Sequence, residues 1–473
     1  MNILCGYNVN IDSVYRIRGE EFTELLNSNP FFQARTEILK KIEKPPEMIN
    51  SLSDFAAGLA RCMKMGCGAE WLGQSPLVLD FLKDQYLEKS LVRMGGNAGI
   101  MANVLSELGA FKVVSNIAVP SKAQLSLFSK KGIQFPGLPG KKPSTTNTSA
   151  KLIRQKEAPI HFVFDFSKGD RFSLFGKEVS IPRENRFIAS FDELNLKLYI
   201  NPAFENYALQ HIKEMDGALL SGFHILLENY PEGFTYLDRL EKAFSQIKTW
   251  KTQNKKLAVH VELGHFSSLR IARDVFVKFA EVSDSLGMNE EELAMLKPLH
   301  KIPQDEIIKR NIQRLSKAAL TLAVEYDLSR LLIHTREFGL SVFKEKKELN
   351  NGYEEMDIGS KENLIPKKEF EALDFGLSCA AAFAASGKLK GRNFVKKVAA
   401  SLPRSNFGKV KVQEFLEAFE GKPFQKGAFA HFGDYTLCML PTLLCKTPVS
   451  TVGLGDTFTA SFFLRRLELH VQA

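Results

Sequence analysis

Four short apolar runs, 217–223, 257–263, 285–288 and 330–333, alternate with helix-patterned stretches, and this rhythm restricts the fold more than any other feature. Short runs with few polar breaks suit strands buried on both faces. Strands that alternate with helices build parallel βαβ units, so one main, mostly parallel sheet is expected. The run 2–6 opens the chain in the same style, and strand-like runs recur within 112–119. Ligands in such sheets sit beyond the carboxyl ends of the strands. Between about 150 and 199 the pattern changes. The stretch Pro159-Ile160-His161-Phe162-Val163-Phe164-Asp165-Phe166 alternates roughly as a half-exposed strand does, which suggests a small β-rich lid. Helix signals fall at 55–61 and, after Gly95-Gly96-Asn97-Ala98-Gly99, at 100–108. The polar, charged stretch 344–362 reads as an exposed loop or surface hairpin.

Several function classes drop out early. The chain has 473 residues, long enough for two domains or for one large domain with an insertion. No apolar stretch approaches the ~20 residues of a membrane helix. The first residues show neither the basic nor the apolar run of a secretory leader. Six scattered cysteines form no Cys-x-x-Cys pair, so zinc and a disulfide framework are not expected. The expectation is a cytoplasmic protein with reduced thiols. A net charge of +9 suits phosphorylated ligands as well as a solvated basic surface. No Lys/Arg tract interleaved with aromatics accompanies it, so nucleic acid is not expected as a partner.

The chemistry-bearing residues fall in clusters. Gly453-Leu454-Gly455-Asp456 precedes a helix-favouring run. Glycines let a backbone present its N–H groups, and a helix N-terminus adds partial positive charge. Such a turn suits a phosphoryl group in flight, with Asp456 placed to take a proton from an attacking hydroxyl. A tight turn with an acidic cap has the same pattern, and these residues alone leave both readings open. On the run 257–263, His260 and Glu262 share a face. Ionisable groups on a core strand are costly unless paired, hydrated or metal-bound. Asn289 and Glu292 lie one helical turn apart and suit a carboxylate–water–magnesium contact, although acidic residues are favourable at any helix start. Asn10 and Asp12 can hold sugar hydroxyls or form an Asx turn. Gly96 and Asn97 let a backbone approach a ligand. Lys168, Arg171, Arg183 and Arg186 are cations suited to phosphate oxygens, or simply solvated.

As one ordered set, these elements resemble the archaeal ADP-dependent phosphofructokinase/glucokinase family of the ribokinase-like superfamily. The set runs from Gly6-Tyr7-Asn8-Val9-Asn10-Ile11-Asp12 through Gly95-Gly96-Asn97-Ala98-Gly99, Pro182-Arg183-Glu184-Asn185-Arg186-Phe187 and Ser221-Gly222-Phe223-His224. It ends with His260-Val261-Glu262, Asn289-x-x-Glu292 and Gly453-Leu454-Gly455-Asp456. The resemblance implies a three-layer α/β/α large domain with a mostly parallel central sheet, over 1–11, 93–148 and 200–473. It implies a discontinuous α/β lid over 12–92 and 149–199. It implies transfer of the β-phosphoryl group of Mg-ADP to a sugar hydroxyl, leaving AMP. By the same resemblance Asp456 is the base. Gly453 and Gly455 frame the anion hole, and Asn289 and Arg186 serve the nucleotide phosphates. Glu262, Glu292 and Asp456 serve Mg²⁺, and Asn10, Asp12, Gly96 and Asn97 hold the sugar.

The acceptor is read from the lid. Lys168 and Arg171 suit the phosphate of fructose 6-phosphate. Glu70 resembles a lid glutamate that favours glucose in this family, and a carboxylate there would repel a phosphate at close range. Asn97 after the two glycines resembles the phosphofructokinase branch. The resulting order is fructose 6-phosphate first, with glucose possible. Oligomeric state is not legible at this level.

Overall fold

The structure is a computed structural model that describes residues 1–46, 48–129, 131–137, 158–345 and 364–471. Most of the stretch 344–362, read above as an exposed loop, lies outside the described residues.

An eleven-stranded sheet carries the larger part of the chain. Its order is Lys422–Phe424, Gly427–Phe432, Tyr435–Pro441, Phe338–Lys344, Arg330–His334, Ser285–Met288, Ala258–Glu262, Gly217–Leu220, Asn2–Gly6, Lys112–Ser115 and Ile133–Gln134. From Arg330–His334 to Ile133–Gln134 every pairing is parallel, as the alternation with helices predicts. The other flank is antiparallel. Short connections such as the one between Arg330–His334 and Phe338–Lys344 leave no room for a crossover helix, so the direction must reverse.

Successive residues of the central strands face opposite layers. Leu4, Ala218 and Leu220 join one buried cluster, built with the helices Tyr236–Gln253, Leu269–Ala280 and Ile312–Glu325. Ile3, Cys5 and Leu219 join another, with Asn97–Glu107 and the C-terminal helix Leu454–Val471. Burying each large aliphatic side chain contributes about 1.5–3 kcal/mol. A two-sided strand therefore holds three layers together.

A separate six-stranded sheet has the order Met48–Ile49, Ala69–Gly73, Asn185–Phe191, Ile160–Phe166, Asn10–Arg16 and Leu91–Gly95. Here the alternation seen at 159–166 is realised. Phe162, Phe164 and Phe166 point into an apolar cluster with Phe55 and Leu59 of the helix Leu52–Met65. The opposite face carries Asp12, His161, Asp165, Arg186 and Glu70 at alternate strand positions. The chain passes between the two sheets at Asn8 and again at Gly96. Gly96 has φ +74°, and a Cβ there would lie 2.6 Å from the Asn8 carbonyl oxygen, so the two crossings pack against each other only with glycine. The helix after Gly96 begins at Asn97, earlier than the expected 100, so Asn97 stands in its first turn.

Candidate active site

Three neighbouring parallel strands end in polar side chains on one side of the large sheet. Glu262 closes Ala258–Glu262, Asn289 follows Ser285–Met288, and His334 closes Arg330–His334. Glu262 is 3 % exposed, and both of its oxygens are engaged. Its Oε1 pairs with His334 Nε2 at 2.7 Å, and its Oε2 lies 3.2 Å from His260 Nε2 and accepts from Thr459 Oγ1 at 3.0 Å. His260 in turn meets Ser285 Oγ at 2.7 Å through Nδ1. Gly287 makes the space for this group, since a Cβ there would fall 1.9 Å from Glu262 Oε2.

Asn289 caps the next helix with its side chain, and Glu292 returns both oxygens to Asn289, each at 2.9 Å. This is a reciprocal capping box. It satisfies the helix start and fixes Glu292 beside Glu262.

Burial and mutual charge set the protonation of the cluster. Burial opposes ionisation of Glu262, but the His334 charge and the two imidazole hydrogen bonds outweigh it and hold the carboxyl down at about 2. Burial likewise opposes charge on His334, and Glu262 reverses that, raising His334 to about 9. Glu292 is pushed up to about 7, first by burial and then by the negative charge of Glu262 and Asp456. Asp456 is raised to about 6 by burial, with Glu262 and Asp12 adding to it and the Asn97 hydrogen bond and His334 working against it.

Asp456 lies in the first turn of the helix Leu454–Val471. The turn before it needs a left-handed residue, and Gly453 has φ +78°. A Cβ on Gly455 would meet the His334 ring at 2.8 Å, so that glycine lets the turn sit directly on the histidine. Asn97 Nδ2 donates to Asp456 Oδ1 at 2.7 Å, and Asn8 Nδ2 donates to Asn97 Oδ1 at 3.1 Å. The base candidate is therefore oriented by Asn97, next to the crossing at Gly96, and Asn97 is in turn held by Asn8 at the other crossing.

The polar face of the six-stranded sheet carries a second hydrogen-bonded group. Asn10 Nδ2 donates to Asp12 Oδ1 at 2.8 Å, and Arg93 Nε stands 3.7 Å from Asp12 Oδ2. Burial raises the Asp12 carboxyl, and His161, Arg93 and Asn10 oppose that rise. Across the sheet, His161 Nε2 pairs with Asp192 Oδ2 at 3.1 Å, and its Nδ1 faces Glu70 Oε1 at 3.8 Å. Ser190 Oγ hydrogen-bonds the same Glu70 oxygen. Burial disfavours the His161 charge, but Asp192, Glu70 and Asp12 raise it to about 9. His224, just past the strand Gly217–Leu220, has its ring against Gly264 and Phe266. Its buried Nδ1 has no hydrogen-bond partner among the described residues, and burial lowers its pKa to about 4.

Two lid arginines reach the segment that leads into the Gly453 turn. Arg93 NH1 approaches Ser450 Oγ at 3.5 Å, and Arg186 NH2 approaches Thr451 Oγ1 at 3.5 Å. Arg186 also faces Asp165 at 3.6 Å.

The structure thus gathers Asn10, Asp12, Gly96, Asn97 and Asp456 on one side, and Glu262, Asn289, Glu292, Gly453 and Gly455 on the other. Glu70 and Arg186 share the lid face with Asp12. Lys168 and Arg171 are not brought to this cluster. Lys168 is exposed in the turn after Ile160–Phe166, at the opposite end of that strand from His161. The strand's seven residues place that turn ~20 Å away. Arg171 opens the hairpin Arg171–Leu174/Lys177–Ser180, whose backbone packs on Gly19. Lys168 and the hairpin that Arg171 opens, both expected to suit the phosphate of fructose 6-phosphate, thus follow the end of Ile160–Phe166 that is away from His161 and Asp12.

Sequence reasoning passed over His334, His161, Asp192, Arg93 and Asn8. His334 had a usable signal, because it is the first polar residue after the run Leu331-Leu332-Ile333, in the position that Glu262 and Asn289 hold on their strands. His161 lies on the polar half of the alternation at 159–166. Arg93 and Asn8 come from ladder pairing and chain crossing, which a linear pattern does not display.

Comparison with known proteins accords with this geometry. A family profile described as the ADP-specific phosphofructokinase/glucokinase conserved region matches residues 1–465. An ADP-specific phosphofructokinase from Pyrococcus abyssi is 28% identical, with 98% of this chain and 97% of the relative aligned. An ADP-dependent glucose/glucosamine kinase from Pyrococcus furiosus is also 28% identical, over 98% of this chain and 93% of that protein. A crystal structure of a hypothetical ADP-dependent phosphofructokinase from Pyrococcus horikoshii superposes with a TM-score of 0.80 at 25% identity, covering 100% of this chain and 99% of that one.

Proposed function

The chain belongs to the ADP-specific phosphofructokinase/glucokinase family, and on that premise we propose that it transfers the β-phosphoryl group of Mg-ADP to a sugar hydroxyl, leaving AMP. Fructose 6-phosphate is the favoured acceptor, giving fructose 1,6-bisphosphate. The observation that carries this reading is the Asn97–Asp456 hydrogen bond, which joins the glycine turn to the face holding Asp12.

The roles follow from the site. Asp456, buried and raised to about 6, is a carboxylate at neutral pH with enough basicity to accept the acceptor hydroxyl's proton as the bond to phosphorus forms. Asn97 directs one of its oxygens. The N–H groups at the start of the helix Leu454–Val471 face the transferring phosphoryl, where preorganised donors stabilise charge as it spreads over the oxygens. Arg186 and Arg93 flank the segment before that turn, and we assign Arg186 to the donor phosphates.

Mg²⁺ fits the donor set present. Glu262, Glu292 and Asp456 offer hard oxygens, and burial, with their mutual negative charge adding to it, raises the carboxyls of Glu292 and Asp456. Because protein hydrogen bonds engage both oxygens of Glu262 and of Glu292, these residues would hold the cation through its own waters. When bound, the ion offsets negative charge on the phosphate oxygens. His334 and His260 keep Glu262 oriented and ionised.

The two parts of the division read from sequence, a large nucleotide-binding domain and a lid, act together in this reading. The lid face closes over the donor site and excludes water, which otherwise competes with the sugar. A second reading has a specific observation behind it. Glu70, His161 and Ser190 form an acidic, hydrogen-bonding group that suits a neutral hexose, which supports glucose as an additional acceptor. We place the protein in the cytoplasm.

The test is AMP release from ADP with fructose 6-phosphate and with glucose at equal concentrations, repeated with ATP. Turnover with fructose 6-phosphate and ADP is expected to lead. Faster glucose turnover would reverse the order, faster turnover with ATP would remove the ADP assignment, and no AMP with either sugar would make the protein a sensor on a kinase scaffold.

A further inference from the structure

The connection between the lid helix Leu52–Met65 and the strand Ala69–Gly73 carries two cysteines that the chemistry above does not use. The helix ends at Gly66, which is left-handed with φ +62° and bonds the Cys62 carbonyl through its N–H. The Cys67 N–H reaches the same carbonyl at 3.2 Å. A cap of this kind folds the residue after the glycine back onto the last helical turn, so that its side chain touches the one at the turn's start. Here those two side chains are Cys67 and Cys62. Cys62 is buried and Cys67 is half-buried. The Cys62 thiol is raised to about 12 by burial, and the adjacent Cys67 thiol adds to that rise. The other cysteines lie elsewhere: Cys5 and Cys379 in one core of the large sheet, Cys438 in another, and Cys445 half-buried.

We propose that Cys62 and Cys67 are a disulfide-forming pair, oxidised by a peroxide that enters at Cys67. The half-buried Cys67 sulfur attacks one peroxide oxygen, giving a sulfenic acid and water. The Cys62 sulfur then attacks the Cys67 sulfur, loses its proton and expels the hydroxyl as a second water. Two thiols and one hydrogen peroxide become one disulfide and two waters, and the peroxide is reduced by the two electrons the sulfurs lose. The placement gives the bond a consequence. Glu70 follows on the strand that leaves this turn. The Gly66 carbonyl accepts from Arg183 Nε at 3.2 Å and from Asn185 Nδ2 at 3.4 Å, next to Arg186. The cross-link therefore forms where the strands bearing Glu70 and Arg186 are tied together.

Lys64 lies between the two thiols, which makes the test direct. The full-length protein is treated with hydrogen peroxide, remaining thiols are alkylated, and the chain is digested with trypsin. The expected product is the segments 62–64 and 65–83 joined, lighter by two hydrogens than their sum and separated by reductant. Cys67→Ser should abolish it, and Cys62→Ala should stop Cys67 at a sulfur oxyacid. The proposal is overturned if both cysteines remain alkylated after Cys445 has oxidised, if Cys67 stops at an oxyacid in the unsubstituted protein, or if Cys67 links two chains.

Discussion

The charged groups on the floor of the site are all closely paired, whereas the arginines on the polar face of the six-stranded sheet stand back from their partners. On the floor, Glu262, His260, His334 and Asn97–Asp456 meet at 2.7 to 3.2 Å. On the lid face Asn10 meets Asp12 at 2.8 Å and His161 meets Asp192 at 3.1 Å, but the arginines are looser: Arg93 stands 3.7 Å from Asp12 and Arg186 stands 3.6 Å from Asp165. The floor residues leave the ends of parallel strands whose neighbours are already fixed by two packed layers. The lid residues project from one face of a sheet whose large apolar cluster lies on the other side. Phosphoryl chemistry needs donors in place before reaction, since reorganising them then would cost free energy. An acceptor pocket that closes on its ligand gains from contacts left slack until the ligand arrives. On the function proposed above, we place the chemistry on the floor and the choice of sugar on the lid.

Substitutions can break or sharpen this division. The largest effect is expected for Asp456→Ala, which removes the proton acceptor and should lower kcat by about 10²–10⁴-fold. ADP binding measured by calorimetry should stay within about tenfold, because the lost interaction belongs to the transition state. Loss of ADP binding in step with kcat would move Asp456 from chemistry to binding. Next is Glu70→Ala. A hydrogen bond to a charged group contributes about 1.5–3 kcal/mol, so glucose kcat/KM should fall about 10–150-fold. Fructose 6-phosphate should be unaffected or improve, and equal losses with both sugars would erase the lid's role in selection.

His334→Gln leaves Glu262 without its cationic partner and should lower activity about 10–100-fold, with a raised magnesium requirement in a metal titration. The pH profile is a gentler probe of the same floor. Asp456 is protonated below about 6 and is a working base above it, so kcat/KM should fall as pH drops through about 6. A flat profile down to pH 4 would contradict the burial argument. The smallest change is expected for Arg93→Lys, which keeps the charge but loses the fork that spans Asp12 and Ser450. A several-fold rise in sugar KM with little change in kcat would place Arg93 on the lid side of the division.

Legibility in the sequence follows the same line. The large sheet was readable because its strands are apolar on both faces and separated by helices, and Glu262, Asn289 and Asp456 stand at the ends of such elements. The antiparallel flank was harder, since an apolar run looks alike in either direction and only the short connections reveal the reversal. On the small sheet, Asp12 and Glu70 share the polar face that the alternation suggests, whereas Lys168 and Arg171 follow the far end of one of its strands. A cation's position in the chain carries no information about which end of a strand it occupies in space. His161 was visible as part of an alternation, yet its partner Asp192 is distant in sequence and meets it only through the fold.

The crossing at Asn8 and Gly96 also limits what redesign of this scaffold can do. Asn8 at the first crossing and Asn97 beside the second carry the hydrogen-bond chain that aims Asp456. A substitution that loosens this crossing therefore also disturbs the group that orients the carboxylate, so the two cannot be varied as independent parameters. An engineer wanting a faster cycle would have to work from the far edge of the small sheet, where Met48–Ile49 and Ala69–Gly73 lie away from that shared pivot.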